Sequence, residues 1–443
     1  MSMPEQPTDG GERRWSLKRV VTAGVIGNVL EWYDFAVYGF FAPILAAQFF
    51  PTGNRMTSLL AAFGTFAVGF LMRPVGAALF GHIGDRYGRA RALLLSIAMM
   101  AIPTALMGLL PTYASIGIAA AFAMVALRMC QGLAVGGEFT SSIVFLAEHA
   151  PPRRRGFVTS WAVFGATAGT MLGAAIGGAL SRVLSPEALA SWGWRAAFIS
   201  GLAVGVVGLI IRRNMFDTPT ERPEKSPLKA AFRNHGKAVL RVVGLNMAPA
   251  ATYYVLFVYA ATWLAENGRV VRAVALDITT ATILTFLVVV PLAARASDRF
   301  GRKRVLITGM TACLVLAYPL ISLMASGETL AIAFGQMGFA ALLGIYMSAV
   351  PAAMCEMFPH SVRVSAVSVG YSLAYAVFGG TAPMVAVWLI GTTGSDIAFA
   401  WYLIGITAIS LTVALTMPEP SPDLATLPTA GREQTTGAAR ASP

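Results

Sequence analysis

The chain has 443 residues, of which 56% are hydrophobic and 12% charged. Soluble domains carry about 25% charged residues, so a water-soluble globular fold is excluded and bilayer-spanning helices are indicated. The net charge of +12 does not point to nucleic acid, because about 26 of the 33 Lys and Arg lie in alternate loops and the tails and about five in the opposite loops, the positive-inside pattern.

In chain order, a polar tail (1–19) precedes six apolar segments at about 20–48, 58–81, 92–111, 115–146, 157–183 and 194–211. A charged, proline-bearing stretch (212–238) reads as a linker. Six further segments follow at about 239–264, 273–294, 304–325, 329–355, 364–391 and 397–417. The tail 418–443 is rich in Pro, Thr, Ala and Gly and reads as disordered. The expected architecture is all-α and membrane-integral, about twelve spanning helices in two six-helix bundles. The charge asymmetry places both termini in the cytoplasm. Glycines within the apolar runs let helices approach closely, and Gly169, Gly173, Gly177 and Gly178 give the fifth segment such a face.

The two halves are repeats. The loop after the second segment reads Gly81-His-Ile-Gly-Asp85-Arg86-Tyr-Gly88-Arg89, and the loop after the eighth reads Ala294-Arg-Ala-Ser-Asp298-Arg299-Phe-Gly301-Arg302. Glu148 and Arg155, past the fourth segment, recur at the same spacing as Glu356 and Arg363 past the tenth. Paired halves of this kind place a solute at their interface near the bilayer midplane.

An ionised side chain at a helix centre costs about 2.5–3.5 kcal/mol, so intramembrane charges are candidate functional groups. Asn28, Glu31, Asp34 and Tyr38 share one face of the first segment. Glu31 and Asp34 lie about 16–21 Å along it, near the midplane. Arg128, Gln131 and Glu138 share a face of the fourth segment, with Arg128 near mid-depth. Arg73 is also near mid-depth and precedes Pro74, a kink signal. The expected arrangement pairs Asp34 with Arg128 across a cavity, with Asp34 or Glu31 taking the coupling proton. Arg73 anchors a substrate carboxylate by a two-pronged contact, and Glu138 is an inner gate or a packing bond. The second half is neutral at the matching positions: Gln336 aligns with Arg128 and Val255 with Asp34. It is expected to supply hydrogen bonds and aromatic walls from Tyr253, Tyr254, Gln336, Tyr346, Tyr371 and Tyr375. Asn28, Tyr33, Tyr38 and Gln131 would face them from the first half.

The repeated Gly-x-x-x-Asp-Arg-x-Gly-Arg loop resembles the major facilitator superfamily. Gly27-Asn28-Val-Leu-Glu31-Trp32-Tyr33-Asp34-Phe35, Phe70-Leu-Met-Arg73-Pro74-Val-Gly76, Arg128-x-x-Gln131-Gly132-x-x-x-Gly136-Gly137-Glu138 and Trp192-Gly-Trp194-Arg195 are similar to the metabolite:proton symporter branch. The second loop departs from the pattern at Ala294 and Ser297, where glycine is preferred. The resemblance implies two pseudo-symmetric bundles working by alternating access. It further implies a cytoplasmic latch of Asp85, Arg86, Arg89, Asp298, Arg299 and Arg302, joined here to Glu148, Arg155, Glu356 and Arg363.

The first reading is a proton-coupled symporter importing a small organic acid, such as 2-oxoglutarate or a di- or tricarboxylate. The alternative is a symporter of zwitterionic proline or glycine betaine; a proton-driven exporter and a transporter-like receptor are more remote. No nucleophile–base set or metal cluster stands out, so neither an enzyme nor a cofactor beyond the proton is expected. Partners are the solute, protons and the lipid bilayer of a bacterial inner membrane, with the chain a monomer and no nucleic acid.

Overall fold

The computed structural model describes the backbone of residues 17–87, 89–213 and 227–419 and most of their side chains. Residues 1–16 and 420–443 of the tails and 214–226 of the expected linker 212–238 lie outside the described residues. The first half comprises α1 (Leu17–Phe40), α2 (Ala42–Phe49), α3 (Arg55–Leu71), α4 (Arg73–Tyr87), α5 (Arg89–Leu109), α6 (Tyr113–Ile116), α7 (Ile118–Ala134), α8 (Glu138–His149), α9 (Arg155–Val183), α10 (Pro186–Ala188) and α11 (Trp194–Arg213). The second comprises α12 (Pro227–Tyr254), α13 (Ala260–Glu266), α14 (Arg272–Phe300), α15 (Arg302–Met324), α16 (Thr329–Glu356), α17 (His360–Ala374), α18 (Ala382–Thr393) and α19 (Phe399–Thr416). Among the described residues, 10 helical stretches are long and apolar enough to cross a membrane, and Leu95–Leu109 is a shorter apolar helix. Helices satisfy their own backbone polar groups, which a hydrocarbon surrounding requires.

Several expected single spans are built from two pieces. The second breaks at Met72 between α3 and α4, just ahead of Pro74, which has no N–H to continue the ladder. The fourth breaks between α7 and α8 at Gly137, whose backbone (φ −160°, ψ −3°) leaves the helical range, and just ahead of that point the chain presses against a neighbouring backbone. A Cβ on Gly132 would sit 2.0 Å from the Gly69 carbonyl oxygen, and one on Gly136 would sit 2.1 Å from the Ala77 nitrogen. Only glycine permits that crossing. The small-residue face of α9 meets α1 in the same way, a Cβ on Gly169 falling 2.2 Å from the Val29 carbonyl oxygen. Two π-helical turns, Val255–Tyr259 and Tyr375–Gly379, follow α12 and α17. Such turns gather at functional sites. The helix carrying the seventh span begins earlier than expected, at Pro227, and kinks at His235.

Contacts between the halves close the molecule at both ends. On the arginine-rich face, Asp298 of α14 accepts from the Gly156 and Phe157 backbone N–H groups at the start of α9, both at 2.8 Å. The Thr140 and Ser368 hydroxyls meet at 2.6 Å. On the opposite face, Arg272 donates to the Phe40 carbonyl, and Arg182 pairs with Asp277 and Arg55 with Glu266. The conformation is occluded.

Candidate functional site

Three helices of the first half build a buried polar chain. Asp34 of α1 accepts from the Thr104 hydroxyl of α5 at 2.9 Å. That hydroxyl accepts from the Gln131 amide of α7 at 2.6 Å, and the Gln131 carbonyl oxygen accepts from Arg128 at 2.7 Å. The expected direct pairing of Asp34 with Arg128 across a cavity is therefore corrected. The two belong to one half and are joined through Thr104 and Gln131, with no direct ion pair between them. Thr104 has one proton and two acceptors, since it also reaches the Met100 carbonyl at 2.8 Å. Arg128 is buried, its guanidinium stacked over Phe35, Tyr38 and Phe66 at 4.3, 4.5 and 5.0 Å. Cation–aromatic contact offsets part of the desolvation of such a charge.

Arg73 occupies the first residue of α4, where the break at Met72 turns the side chain inward. It lies 4.1 Å from the Phe70 ring, 4.8 Å from Phe35 and 5.6 Å from Trp32. Its Nε and one Nη find no acceptor among the described residues. Next to it the aromatic side chains of both halves interlock. Trp32 stacks on Tyr254 at 6.2 Å and meets Tyr253 and Phe139 edge-on at 5.7 and 5.5 Å. Phe139 contacts Tyr371 at 5.0 Å, and Tyr371 stacks on Tyr375 at 4.0 Å. Tyr253 closes the wall by bonding Thr170 of α9 at 2.9 Å. Glu31 is buried one residue before Trp32, within electrostatic reach of Tyr254. Beside Tyr371 and Tyr375, the remaining gap between the halves is about 10 Å³, the space of about one water.

Other expected residues fall elsewhere. Tyr33, expected to face the cavity, turns its hydroxyl into its own half, donating to the Ala197 carbonyl at 2.9 Å beside Ser200 at 2.7 Å. Tyr38 donates to the Ala62 carbonyl at 3.0 Å, and Asn28 bonds Ser142 at 3.0 Å. Gln131 belongs to the polar chain rather than to the aromatic wall. Gln336 ties the π turn to its bundle through the Leu256 carbonyl at 3.2 Å and Thr279 at 3.4 Å. Tyr346 packs inside the second half, its backbone nitrogen close to Gly309. Glu138 opens α8. Among the described residues, the buried charges of the second half are Arg302, Glu356 and Arg363.

Those three belong to the arginine-rich face. Arg302 grips Glu356 through Nε and Nη2 at 3.3 and 3.2 Å and holds Asp298 at 2.7 Å. Arg363 reaches Glu148 of the other half at 3.2 Å, while Arg155 stands 3.8 Å from Glu356. Arg299 is exposed beside this cluster. The side chains of Asp85, Arg86 and Arg89 lie outside the described residues. Thr104, Trp32, Phe139, Thr170 and Arg272 escaped the sequence reading. Trp32 stood within a quoted motif, whereas Thr104 carries no pattern beyond a hydroxyl next to Pro103.

Comparison with known proteins agrees with this architecture. The family model described as Major Facilitator Superfamily matches residues 24–267 and 241–441. A proline/betaine transporter of Salmonella typhimurium is 35% identical, the match covering 91% of this chain and 84% of that one. A citrate-proton symporter of Klebsiella pneumoniae is 34% identical over 91% of each chain. A solved structure of the proton:xylose symporter XylE superposes with a TM-score of 0.73 at 18% identity, covering 92% of this chain and 97% of that one. The chain belongs to the major facilitator superfamily, and within it to the metabolite:proton symporter branch that its motifs resemble.

Proposed function

We propose that this protein is a proton-coupled symporter that imports a small zwitterion, a carboxylate joined to a secondary or quaternary ammonium, of the proline or glycine betaine kind. The carrying observation is the placement of Arg73 against the wall of Trp32, Tyr253, Tyr254, Tyr371 and Phe139. A guanidinium with open N–H donors takes a carboxylate two-pronged, and facing aromatic rings take an ammonium that cannot be paired by hydrogen bonds alone. The buried charges here are balanced, Glu31 and Asp34 against Arg73 and Arg128, so a net-neutral solute adds no uncompensated charge. The similarity to a proline/betaine transporter supports the same reading.

Thr104 links the proton to the solute. With Asp34 ionised, the hydroxyl donates to it. With Asp34 protonated, the carboxyl donates instead and the hydroxyl proton turns to the Met100 carbonyl. Gln131 and Arg128 experience that reversal through the chain, and Arg128 lies against Phe35 and Phe66, which also flank Arg73 and Tyr254. The arginine-rich face is the cytoplasmic one, and its latch opens to release solute. An organic acid is the second reading, favoured by two buried arginines with open donors and by the citrate-proton symporter.

The test is uptake into proteoliposomes under an imposed pH gradient, comparing proline and betaine with citrate and 2-oxoglutarate. Gradient-driven betaine or proline uptake, lost in both Arg73→Ala and Trp32→Ala, is the expected result. Carboxylate uptake that survives Trp32→Ala and not Arg73→Ala would replace the zwitterion by the organic acid.

A further inference from the structure

An open cavity of about 560 Å³ lies between the halves on the arginine-rich face, lined by Arg153, Arg154, Phe157, Arg295, Asp298 and Arg299. Two of its arginines precede α9 and two stand on the last turns of α14. The one carboxylate among them is already engaged, by two backbone N–H groups and by Arg302. None of the four arginines forms an ion pair among the described residues. Arg295 rests 4.4 Å from the Phe157 ring.

Below this pocket the surface is apolar. Leu284, Val288 and Leu292, each 55% exposed, form a stripe at four-residue spacing along α14 that runs up to Arg295 and Arg299. On α9 the rings of Phe157, Trp161 and Phe164 follow one another at 5.9 and 4.8 Å. A cationic pocket at the water boundary above an apolar stripe in the bilayer matches an amphiphile with a phosphate head and hydrocarbon tails.

We infer that this pocket binds the phosphate of an anionic phospholipid from the adjoining leaflet, with its acyl chains lying along the α9–α14 seam. A soluble phosphate shares the head chemistry but has no use for the stripe. Because Arg153 and Arg154 come from one half and Arg295 and Arg299 from the other, the bound head bridges the halves beside the Asp298 latch. Lipid occupancy thereby favours the state in which this face is closed. The inference needs only a chain embedded in a bilayer, and it stands whichever solute is carried.

The experiment measures spin-labelled phosphatidylglycerol and phosphatidylcholine held by the purified full-length protein in lipid nanodiscs. The expected result is retention of phosphatidylglycerol over phosphatidylcholine. The Arg153→Ser/Arg154→Ser and Arg295→Ser/Arg299→Ser pairs should each weaken it about thirtyfold. Lysine replacements at the same positions should keep it, which separates charge from fold. Equal retention of the two lipids by the wild type, or unchanged phosphatidylglycerol binding in both serine pairs, overturns the inference. So does displacement of the lipid by millimolar inorganic phosphate, which would assign the pocket to a soluble anion.

Discussion

Asp298→Ala removes the two bonds by which α14 holds the start of α9. Hydrogen bonds to a charged group are worth about 1.5–3 kcal/mol each. Both donors are 2.8 Å away and the Asp298 side chain is 9% exposed, so the full value of each applies in the closed state. The Arg302 contact lies within one half and survives opening, so it does not enter the difference. At the lower bound the latch contributes about 3 kcal/mol, and its loss raises the population open on this face about a hundredfold. Cys355 supplies a native reporter, since its thiol is buried among Glu148 and Arg155 of one half and Glu356 and Arg363 of the other. In a Cys130→Ser/Cys313→Ser background, maleimide labelling of Cys355 should quicken by about two orders of magnitude in Asp298→Ala, because labelling follows the open fraction when opening is fast. Arg272→Ala, which frees the opposite face from the Phe40 carbonyl, should slow the same labelling. Unchanged labelling in Asp298→Ala, or acceleration by both variants, would refute the two-gate reasoning.

Thr104→Val keeps the shape of the side chain and removes the hydroxyl between Asp34 and Gln131. Proton-driven accumulation should fall about tenfold or more while solute exchange at equal pH stays within about twofold, as read by paired uptake and counterflow assays. Gly201→Ala would bring a methyl group 2.8 Å from the Asp34 carboxylate and 2.7 Å from the Thr104 methyl. A thermal-shift measurement should register about 1–3 kcal/mol of overpacking, with transport impaired as well. Gly132→Ala should lower the melting midpoint far more than Gly137→Ala. The first places Cβ 2.0 Å from the Gly69 carbonyl oxygen, whereas the second meets nothing within 4 Å.

The spans and the duplicated loop were legible because hydrophobic length and a repeated Asp-Arg-x-Gly-Arg pattern are local signals. The burial of Asp34, Arg73 and Arg128 agrees with reading charges inside apolar segments as enclosed by the bundle. Which neighbour each one meets does not follow from that reading. Helical spacing puts Asp34 and Tyr38 on one face, but only packing decides that α5 supplies Thr104 and that Arg128 stacks on Tyr38. Tyr33 and Tyr254 carry equal sequence signals, yet one bonds its own half and the other stacks on Trp32 across the interface. The closure on the face opposite the arginine-rich one was hidden for another reason. Arg55, Arg182 and Arg272 carry no motif, and their partners Glu266, Asp277 and the Phe40 carbonyl lie far away in sequence. The π turns at Val255–Tyr259 and Tyr375–Gly379 break the period on which sequence reading depends.

The paired contacts Arg363–Glu148 and Arg155–Glu356 have a bearing on ancestry. Each half offers an acid and a base at matching positions, and each half's base faces the other's acid. This is the signature of an isologous contact, the geometry two identical subunits adopt about a two-fold axis. A single ancestral six-helix gene product could have closed this face against its own copy with one Glu and one Arg. The two contacts, at 3.2 and 3.8 Å, keep that reciprocity within one chain. The two halves, produced as separate polypeptides, retain the complementary surfaces from which such a dimer would reassemble.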